Sequence, residues 1–254
     1  MNEFEWLACF DPQPMLDFLC RRRKPARISE RRLTLFAAAC CRRIWQFIPT
    51  EPCRRAIEVA ERSADGLATT KERCTAWSAA VSSAAEEGIR LGDSYDEELI
   101  DWGSVPGGFA ARAPVRLVGE GEFTASNVAS DAAYELAWDA YRLRSGRDAS
   151  MVAFEATYAA ELMAQCAILR DIAGNPFHPF TIDPTWITPT VLALAQAAYA
   201  QRHLPSGTLD NNRLGVLADC LEDVGSNAAL LHHFRADGPH VRGCFALDAL
   251  IGKS

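Results

Sequence analysis

Apolar residues recur at intervals of three and four along almost the whole of this 254-residue chain. In the stretch Ile28–Phe47, for example, these positions are Leu33, Phe36, Cys40 and Ile44. Such spacing puts the apolar side chains on one face of an α-helix, whereas a half-buried strand would alternate apolar and polar residues. Strand-type alternation is nearly absent from the sequence. We therefore predict an all-α fold of about ten helices in a multi-helical array, for which stacked helical hairpins are one arrangement.

One segment interrupts the helical pattern. Residues 92–123 contain six glycines, two prolines and the acidic run Asp93–Glu98, and within them Pro114–Val118 is a candidate short strand. A loop of about 30 residues is unusual inside a compact domain. We predict an N-terminal helical part over 1–91, a long loop or linker over 92–123, and a C-terminal helical part over 124–254. The two helical parts can equally form one continuous domain.

The cysteines and the hydropathy indicate the class of protein. There are nine cysteines and no Cys-x-x-Cys pair, which is typical of reduced core residues and excludes zinc ribbons and thioredoxin-like motifs. The acidic start Met1–Glu5 lacks the basic and apolar regions of a signal peptide. No run approaches the ~20 apolar residues of a membrane span. We predict a soluble, cytoplasmic protein with no membrane partner.

Positive charge is concentrated near the N-terminus. The segment Arg21–Arg43 holds nine basic residues and one acid, in a chain whose formal net charge is −7. Arg31 and Arg42 are eleven residues apart, as are Arg32 and Arg43, so each pair shares a helix face. This face could follow a nucleic-acid backbone. A pI near 5.3 and the absence of a recognised DNA-binding motif favour docking on the chain's own acids or on a protein instead.

The C-terminal segment Leu231–Asp248 carries three of the five histidines. If a helix begins at His240, Cys244 and Asp248 follow at i+4 and i+8, and the three side chains share one stripe. Their N, S and O atoms could bind zinc together with Cys220, His232 or His233 from neighbouring helices.

Two other interpretations of the same stripe compete with a metal. Cys244 beside His240 could be an activated thiolate, oriented by Asp248 or Asp237. More simply, Cys244 packs in the core and the stripe fastens the last helix. Asp248 lies in an apolar run, where a buried charge must be paired, and Arg242, Arg235 or His240 are candidate partners. The sequence assigns no catalytic residue, no metal ligand set and no cofactor.

A proline-dense connector, Asn175–Pro189, precedes the last helices. It carries the aromatic residues Phe177, Phe180 and Trp186. On a stiff segment these side chains are candidate binding residues for a partner, because little entropy is lost when they are ordered. We favour the alternative that they pack onto the chain itself, since exposed aromatic clusters are rare on monomers.

Four segments together resemble a family of bacterial all-helical proteins with no established activity. They are Glu5–Pro12, Leu35–Trp45, Asn175–Trp186 and Gly238–Cys244, the last of which is a Gly-Pro-His-Val-Arg-Gly-Cys signature. The resemblance implies a helical fold and transfers no site residues. Where members often show Gly-Cys-Trp before the last helix, this chain has Gly243–Phe245, which retains an aromatic residue.

The sequence thus supports three hypotheses. The strong catalytic motifs of hydrolases, dinucleotide-binding enzymes and zincins are absent, which favours a protein-interaction or scaffold module with a protein partner. The first alternative is a metal- or thiol-dependent enzyme that uses His240, Cys244 and Asp248. The second is nucleic-acid binding through the basic segment Arg21–Arg43.

Overall fold

The structure, a computed structural model, describes residues 1–21, 27–86, 108–118 and 122–253. These ranges contain twelve α-helices and two 3-10 helices. Pairing between extended segments within them is limited to two isolated antiparallel bridges, Arg202–Leu209 and Thr208–Val241. The prediction of an all-α fold is confirmed, and the predicted number of about ten helices is roughly right.

The α-helices and their bounds are, in chain order, α1 (Glu3–Ala8), α2 (Pro12–Arg21), α3 (Glu30–Arg43), α4 (Glu51–Ala64), α5 (Thr70–Glu86), α6 (Gly108–Leu117), α7 (Glu122–Arg142), α8 (Arg147–Ala173), α9 (Pro189–Ala200), α10 (Asn211–Asp223), α11 (Ala228–Arg235) and α12 (Phe245–Ile251). The 3-10 helices are Trp45–Phe47 and Pro184–Trp186.

The last helix begins later than the sequence suggests. We expected it to start at His240, but α12 starts at Phe245 and Cys244 occupies its N-cap position. The reason is Gly243, whose φ of +90° lies in the left-handed region that only glycine adopts readily. A turn at this residue separates His240 from the helix, so the predicted i, i+4, i+8 stripe does not form.

A second correction concerns Pro114–Val118, which we predicted as a short strand. These residues lie in or directly after α6, whose buried residues Phe109, Ala110, Ala113 and Leu117 follow helical spacing. Packing of this face against α7 outweighs the cost of a proline inside the helix. The rest of the predicted loop, residues 92–107 and 119–121, lies outside the described residues, and with it the acidic run Asp93–Glu98.

Two large clusters of buried apolar side chains form most of the interior, beside a small one made of Ala84 and Ala111. The first core is built by α1–α8, with α3 packed against α4, α6, α7 and α8. The second core runs from Val191 to Leu250 and is built by α9–α12. Helices of the segment 124–173 therefore share a core with the N-terminal helices, and the two cores meet where α8 contacts α12.

The aromatic residues of the connector between the cores pack onto the chain itself. Phe177 stacks on Phe18 with ring centroids 5.3 Å apart, at the edge of the first core. Phe180 and Trp186 pack against the second core, where Phe180 meets Phe245 edge-on. These side chains fasten the connector to the two cores.

α8 is the one helix in the described ranges that is long and apolar enough to cross a membrane. Its best window has a mean hydropathy of 1.2, and 28% of that window is buried. Length and composition of this kind are weak support for a membrane span, because core helices pass the same test. In this fold α8 packs against α2, α3 and α7.

Candidate metal centre

The two cores are joined by a cluster of four polar side chains. Asp171 lies in the last turn of α8, and its side chain is 4% exposed. His233 lies near the end of α11, His240 in the loop that follows, and Cys244 at the N-cap position of α12. His240 and Cys244 are buried, whereas the His233 side chain is 20% exposed.

Local structure explains how these residues reach one point. Asn227 caps α11, since its side-chain oxygen accepts a hydrogen bond from the backbone N–H of Leu230 at 2.9 Å. Leu230 and Phe234 bury one face of α11 in the second core. That packing leaves His233 at the edge of the face, where its ring lies between His240 and Phe245, with centroid distances of 4.9 and 4.7 Å.

Each of the four side chains has one atom that could bind a metal ion, and these four atoms lie within 4.8 Å of one another. Asp171 Oδ1 is 2.9 Å from His240 Nδ1 and 3.5 Å from His233 Nε2. His233 Nε2 is in turn 3.1 Å from Cys244 Sγ. Ligand atoms of a tetrahedral zinc ion are roughly 3.3–3.8 Å apart, given bonds of about 2.0–2.3 Å. The separations in the cluster run from 2.9 Å up to 4.8 Å, so side-chain shifts of up to about 1 Å would bring this set to that geometry.

The atoms of the cluster that face away from its centre are also hydrogen-bonded. His240 Nε2 lies 3.1 Å from the carbonyl oxygen of Ala236, to which it donates. Asp171 Oδ2 accepts the backbone N–H of Val241 at 2.9 Å. Metal-binding histidines and carboxylates are usually oriented in this way by a second layer of hydrogen bonds. The arrangement therefore resembles a metal site in its outer contacts as well as in its donor atoms.

The pKa values separate the roles of the two histidines. Burial lowers the pKa of His233 to about 4, against the opposing charge of Asp171, so this ring is neutral at physiological pH. Burial also disfavours the charged form of His240, but its hydrogen bond with Asp171 outweighs burial and raises its pKa. The ring of His240 is thus hydrogen-bonded on both nitrogens, to Asp171 and to the carbonyl of Ala236.

Cys244 is unsuited to nucleophilic chemistry. Burial raises the pKa of its thiol well above the ordinary value, and the side chain is fully buried. A reactive cysteine needs a thiolate and access to its substrate. A metal ion inside the cluster would also bind Cys244 as the thiolate, with release of the thiol proton on binding, but it would not need access for a substrate.

Asp248, the third member of the predicted stripe, belongs to a different group of residues. Its carboxylate binds the guanidinium of Arg31 through contacts of 2.6 and 3.0 Å. Arg31 also contacts Asp65 at 3.1 Å. Burial raises the pKa of Asp248, because it outweighs the opposite effect of the positive charges on Arg31 and Arg32. The predicted partners Arg242, Arg235 and His240 were wrong, because Arg31 lies 217 positions away and only the fold brings it here.

The arginine face of α3 is directed at the chain's own acids. Arg42 forms a double hydrogen bond with Glu61 at 2.5 and 2.7 Å, and Arg43 contacts Glu161 at 2.8 Å. Arg32 lies 3.9 Å from Asp248. All four arginines proposed for nucleic-acid binding therefore contact carboxylates within the molecule: Arg31, Arg32, Arg42 and Arg43.

Sequence reasoning missed Asp171, although a signal for it exists. It lies in the run Cys166–Ala173, which is apolar apart from Asp171 and the adjacent Arg170. A carboxylate in such a run must be paired if the helix is buried there. The same argument that singled out Asp248 applies to Asp171. Of the other proposed ligands, the structure brings in His233 and leaves His232 exposed.

Comparison of the chain with protein-family models, with curated proteins and with solved structures finds no match.

Proposed function

We propose that this protein is a zinc-binding helical module in which the metal has a structural role. The observation that carries the proposal is the convergence of Asp171, His233, His240 and Cys244 within 4.8 Å. A thiolate with two imidazoles and a carboxylate is a ligand set typical of zinc, whereas magnesium and calcium prefer oxygen ligands alone.

A structural role follows from the closure of the site. Catalytic zinc keeps one coordination position open for water or substrate, while structural zinc has four protein ligands. Here the protein supplies four, and Asp171, His240 and Cys244 are buried. An ion bound to them would connect α8 of the first core to α11, the following loop and α12. Its binding free energy would add to the stability of the fold.

The alternatives from the sequence receive less support. Thiol catalysis is disfavoured by the burial and raised pKa of Cys244. Nucleic-acid binding is disfavoured because the guanidinium groups of Arg31, Arg42 and Arg43 are engaged by Asp248, Glu61 and Glu161. We place the protein in the reducing cytoplasm as a soluble chain, in accord with nine free cysteines.

Zinc titration of the full chain tests the proposal. After treatment with a chelator and its removal, wild-type protein should bind one zinc ion per chain in competition with a chromogenic chelator. Cys244→Ala should weaken this binding at least ~100-fold, since even the loss of a second-layer partner of a ligand costs about 10- to 100-fold.

His232→Ala is the matched control for this titration. His232 precedes a proposed ligand by one residue but is exposed and outside the cluster, so its removal should leave zinc affinity unchanged. Equal weakening in both variants, or wild-type protein that binds no zinc at micromolar concentration, would refute the site.

A second candidate function, a protein-interaction or scaffold module, is favoured by the surface formed by α1 and the residues directly after it. Phe4, Leu7 and Phe10 are 78%, 57% and 70% exposed, while Trp6 on the opposite side is buried in the first core. Three large apolar side chains exposed so close together are typical of a contact surface for another protein. This role is compatible with a structural metal site.

A photo-reactive amino acid at position 7 tests this second candidate in cells. If the surface binds a partner, crosslinking should yield a discrete adduct that disappears when Phe4 and Phe10 are replaced by serine. The same amino acid at position 58, where Glu58 is exposed on α4, serves as the control. Identical adduct patterns from positions 7 and 58 would count against an interaction surface on α1.

A further inference from the structure

The first half of α8 is packed against the rest of the chain on one side only. Of the described residues 147–160, Ser150 alone is buried, and the other buried residues of this helix lie from Glu161 onward. On the side toward α7, Phe154 meets Trp138 edge-on with ring centroids 5.0 Å apart. The residues on the opposite side of this half are exposed. The fold therefore leaves one long helix face open to solvent.

This open side of α8 is apolar. Within the fully described segment 149–163, Glu155 is the one exposed residue that carries a charge. The exposed apolar residues that we call the α8 face are Met151, Val152, Ala156, Ala159, Ala160 and Met163. Val152 is 67% exposed and Met163 is 59% exposed. A contiguous apolar surface of this kind is typical of a contact with another protein.

Two opposite charges flank the α8 face at equal distances from Met151. Arg147 lies four residues before Met151 and Glu155 lies four residues after it, so the three side chains form one row along the helix. Both charged residues are exposed, and neither forms an ion pair with a described residue. If two copies of α8 cross antiparallel at Met151, Arg147 of each copy lies opposite Glu155 of the other. In charge, this row is therefore its own complement.

We propose that the α8 face binds the same face of a second copy of this chain, in a two-fold symmetric dimer whose α8 helices cross antiparallel at Met151. The contact buries Met151 and Val152 and forms two Arg147–Glu155 ion pairs. A parallel pair would set like charges against each other at both positions, which disfavours it. One helix per chain gives an interface at the small end of the usual range, so the dimer should be of micromolar affinity. The face contains no proposed zinc ligand, so dimerisation can be tested separately from the metal centre.

Analytical ultracentrifugation of the full chain tests the proposal. Wild-type protein should form a dimer with a Kd of about 1–100 µM. Glu155→Arg sets arginine against arginine at both ends of the contact and should raise the Kd at least ~10-fold, because like charges destabilise an interface. The double variant Arg147→Glu with Glu155→Arg exchanges the two charges and restores opposite signs across the contact. It should return the Kd to within about threefold of wild type.

Two further variants keep the test decisive. Glu58→Arg makes the same change of charge at an exposed position of α4, outside the α8 face, and should leave the Kd unchanged. Met151→Lys places two like charges at the crossing point and should leave the protein monomeric, while circular dichroism shows that its helices are retained. The proposal is overturned if wild type is monomeric at ~300 µM, or if Glu155→Arg dimerises as wild type does. It is equally overturned if the double variant remains as weak as Glu155→Arg, or if Glu58→Arg weakens the dimer as much as Glu155→Arg does.

Discussion

Glu61→Gln should lower the free energy of unfolding by about 3–5 kcal/mol, the usual cost of removing one partner from a buried ion pair. Glu61 accepts paired hydrogen bonds from Arg42 and from Arg202, and the Arg42 side chain is 2% exposed. Glutamine keeps the shape of the side chain but leaves two adjacent guanidinium groups without a carboxylate. Urea denaturation of wild type and variant measures the difference.

The control for this experiment is an ion pair on the surface. Asp219 pairs with Arg235 at 2.7 Å, but its side chain is 71% exposed. Asp219→Asn should change the free energy of unfolding by less than about 1 kcal/mol, since solvent screens exposed pairs. Comparable effects of the two substitutions would mean that Glu61 is solvated in solution and that the α3–α4 contact is looser than the structure indicates.

The same carboxylate makes stability depend on pH. Burial alone would raise the pKa of Glu61, but the hydrogen bonds from Arg42 and Arg202 outweigh burial and lower it below its ordinary value of 4.5. Because the pKa of Glu61 is lower in the folded state, the contribution of its carboxylate to the free energy of unfolding is complete above about pH 4.5. It is lost as the pH falls through the folded-state pKa. The stability difference between wild type and Glu61→Gln should therefore be full at neutral pH and shrink in acid.

Zinc should stabilise the wild-type protein by about 4 kcal/mol when the free ion is at ~1,000 times its Kd. The ion binds the folded cluster of Asp171, His233, His240 and Cys244, and the unfolded chain does not hold these residues together. For a protein of this size, 1 kcal/mol shifts Tm by about 2–4 °C, so calorimetry should show a rise of roughly 10 °C.

Ligand variants show whether the gain in Tm comes from this cluster. Cys244→Ala should reduce the zinc-dependent rise to about a third or less, and His232→Ala should retain it. A rise of wild-type size in Cys244→Ala would place the stabilising ion elsewhere in the chain. No rise in wild type would mean that the cluster is a hydrogen-bonded network, in which His240 connects Asp171 and Ala236.

The helices could be predicted from the sequence because their signals are local. Leu33, Phe36 and Cys40 on α3 are spaced for a helix and are buried in the first core. The errors arose where a local signal was overridden. The turn at Gly243 separates His240 from α12, and packing against α7 makes the proline-containing segment of α6 helical.

The candidate site could be predicted only in part. His233, His240 and Cys244 lie within twelve positions of one another, so the sequence indicated that they might meet. Asp171 precedes His233 by 62 positions in the sequence. It reaches the cluster because α8 packs against α12. Arg31 and Asp248 meet across 217 positions. Spacing along the chain does not predict such contacts, and the apolar run around Asp248 indicated only that this carboxylate needed a partner.

The coordination shell of the bound ion tests the central claim most directly. X-ray absorption at the zinc edge of the zinc-loaded chain should show one sulfur at about 2.3 Å and three nitrogen or oxygen atoms at about 2.0–2.1 Å. This shell corresponds to Cys244 with His233, His240 and Asp171. The sulfur contribution should be absent in zinc-treated Cys244→Ala. A wild-type shell of six oxygen atoms, or one that contains no sulfur, would contradict the proposed metal centre.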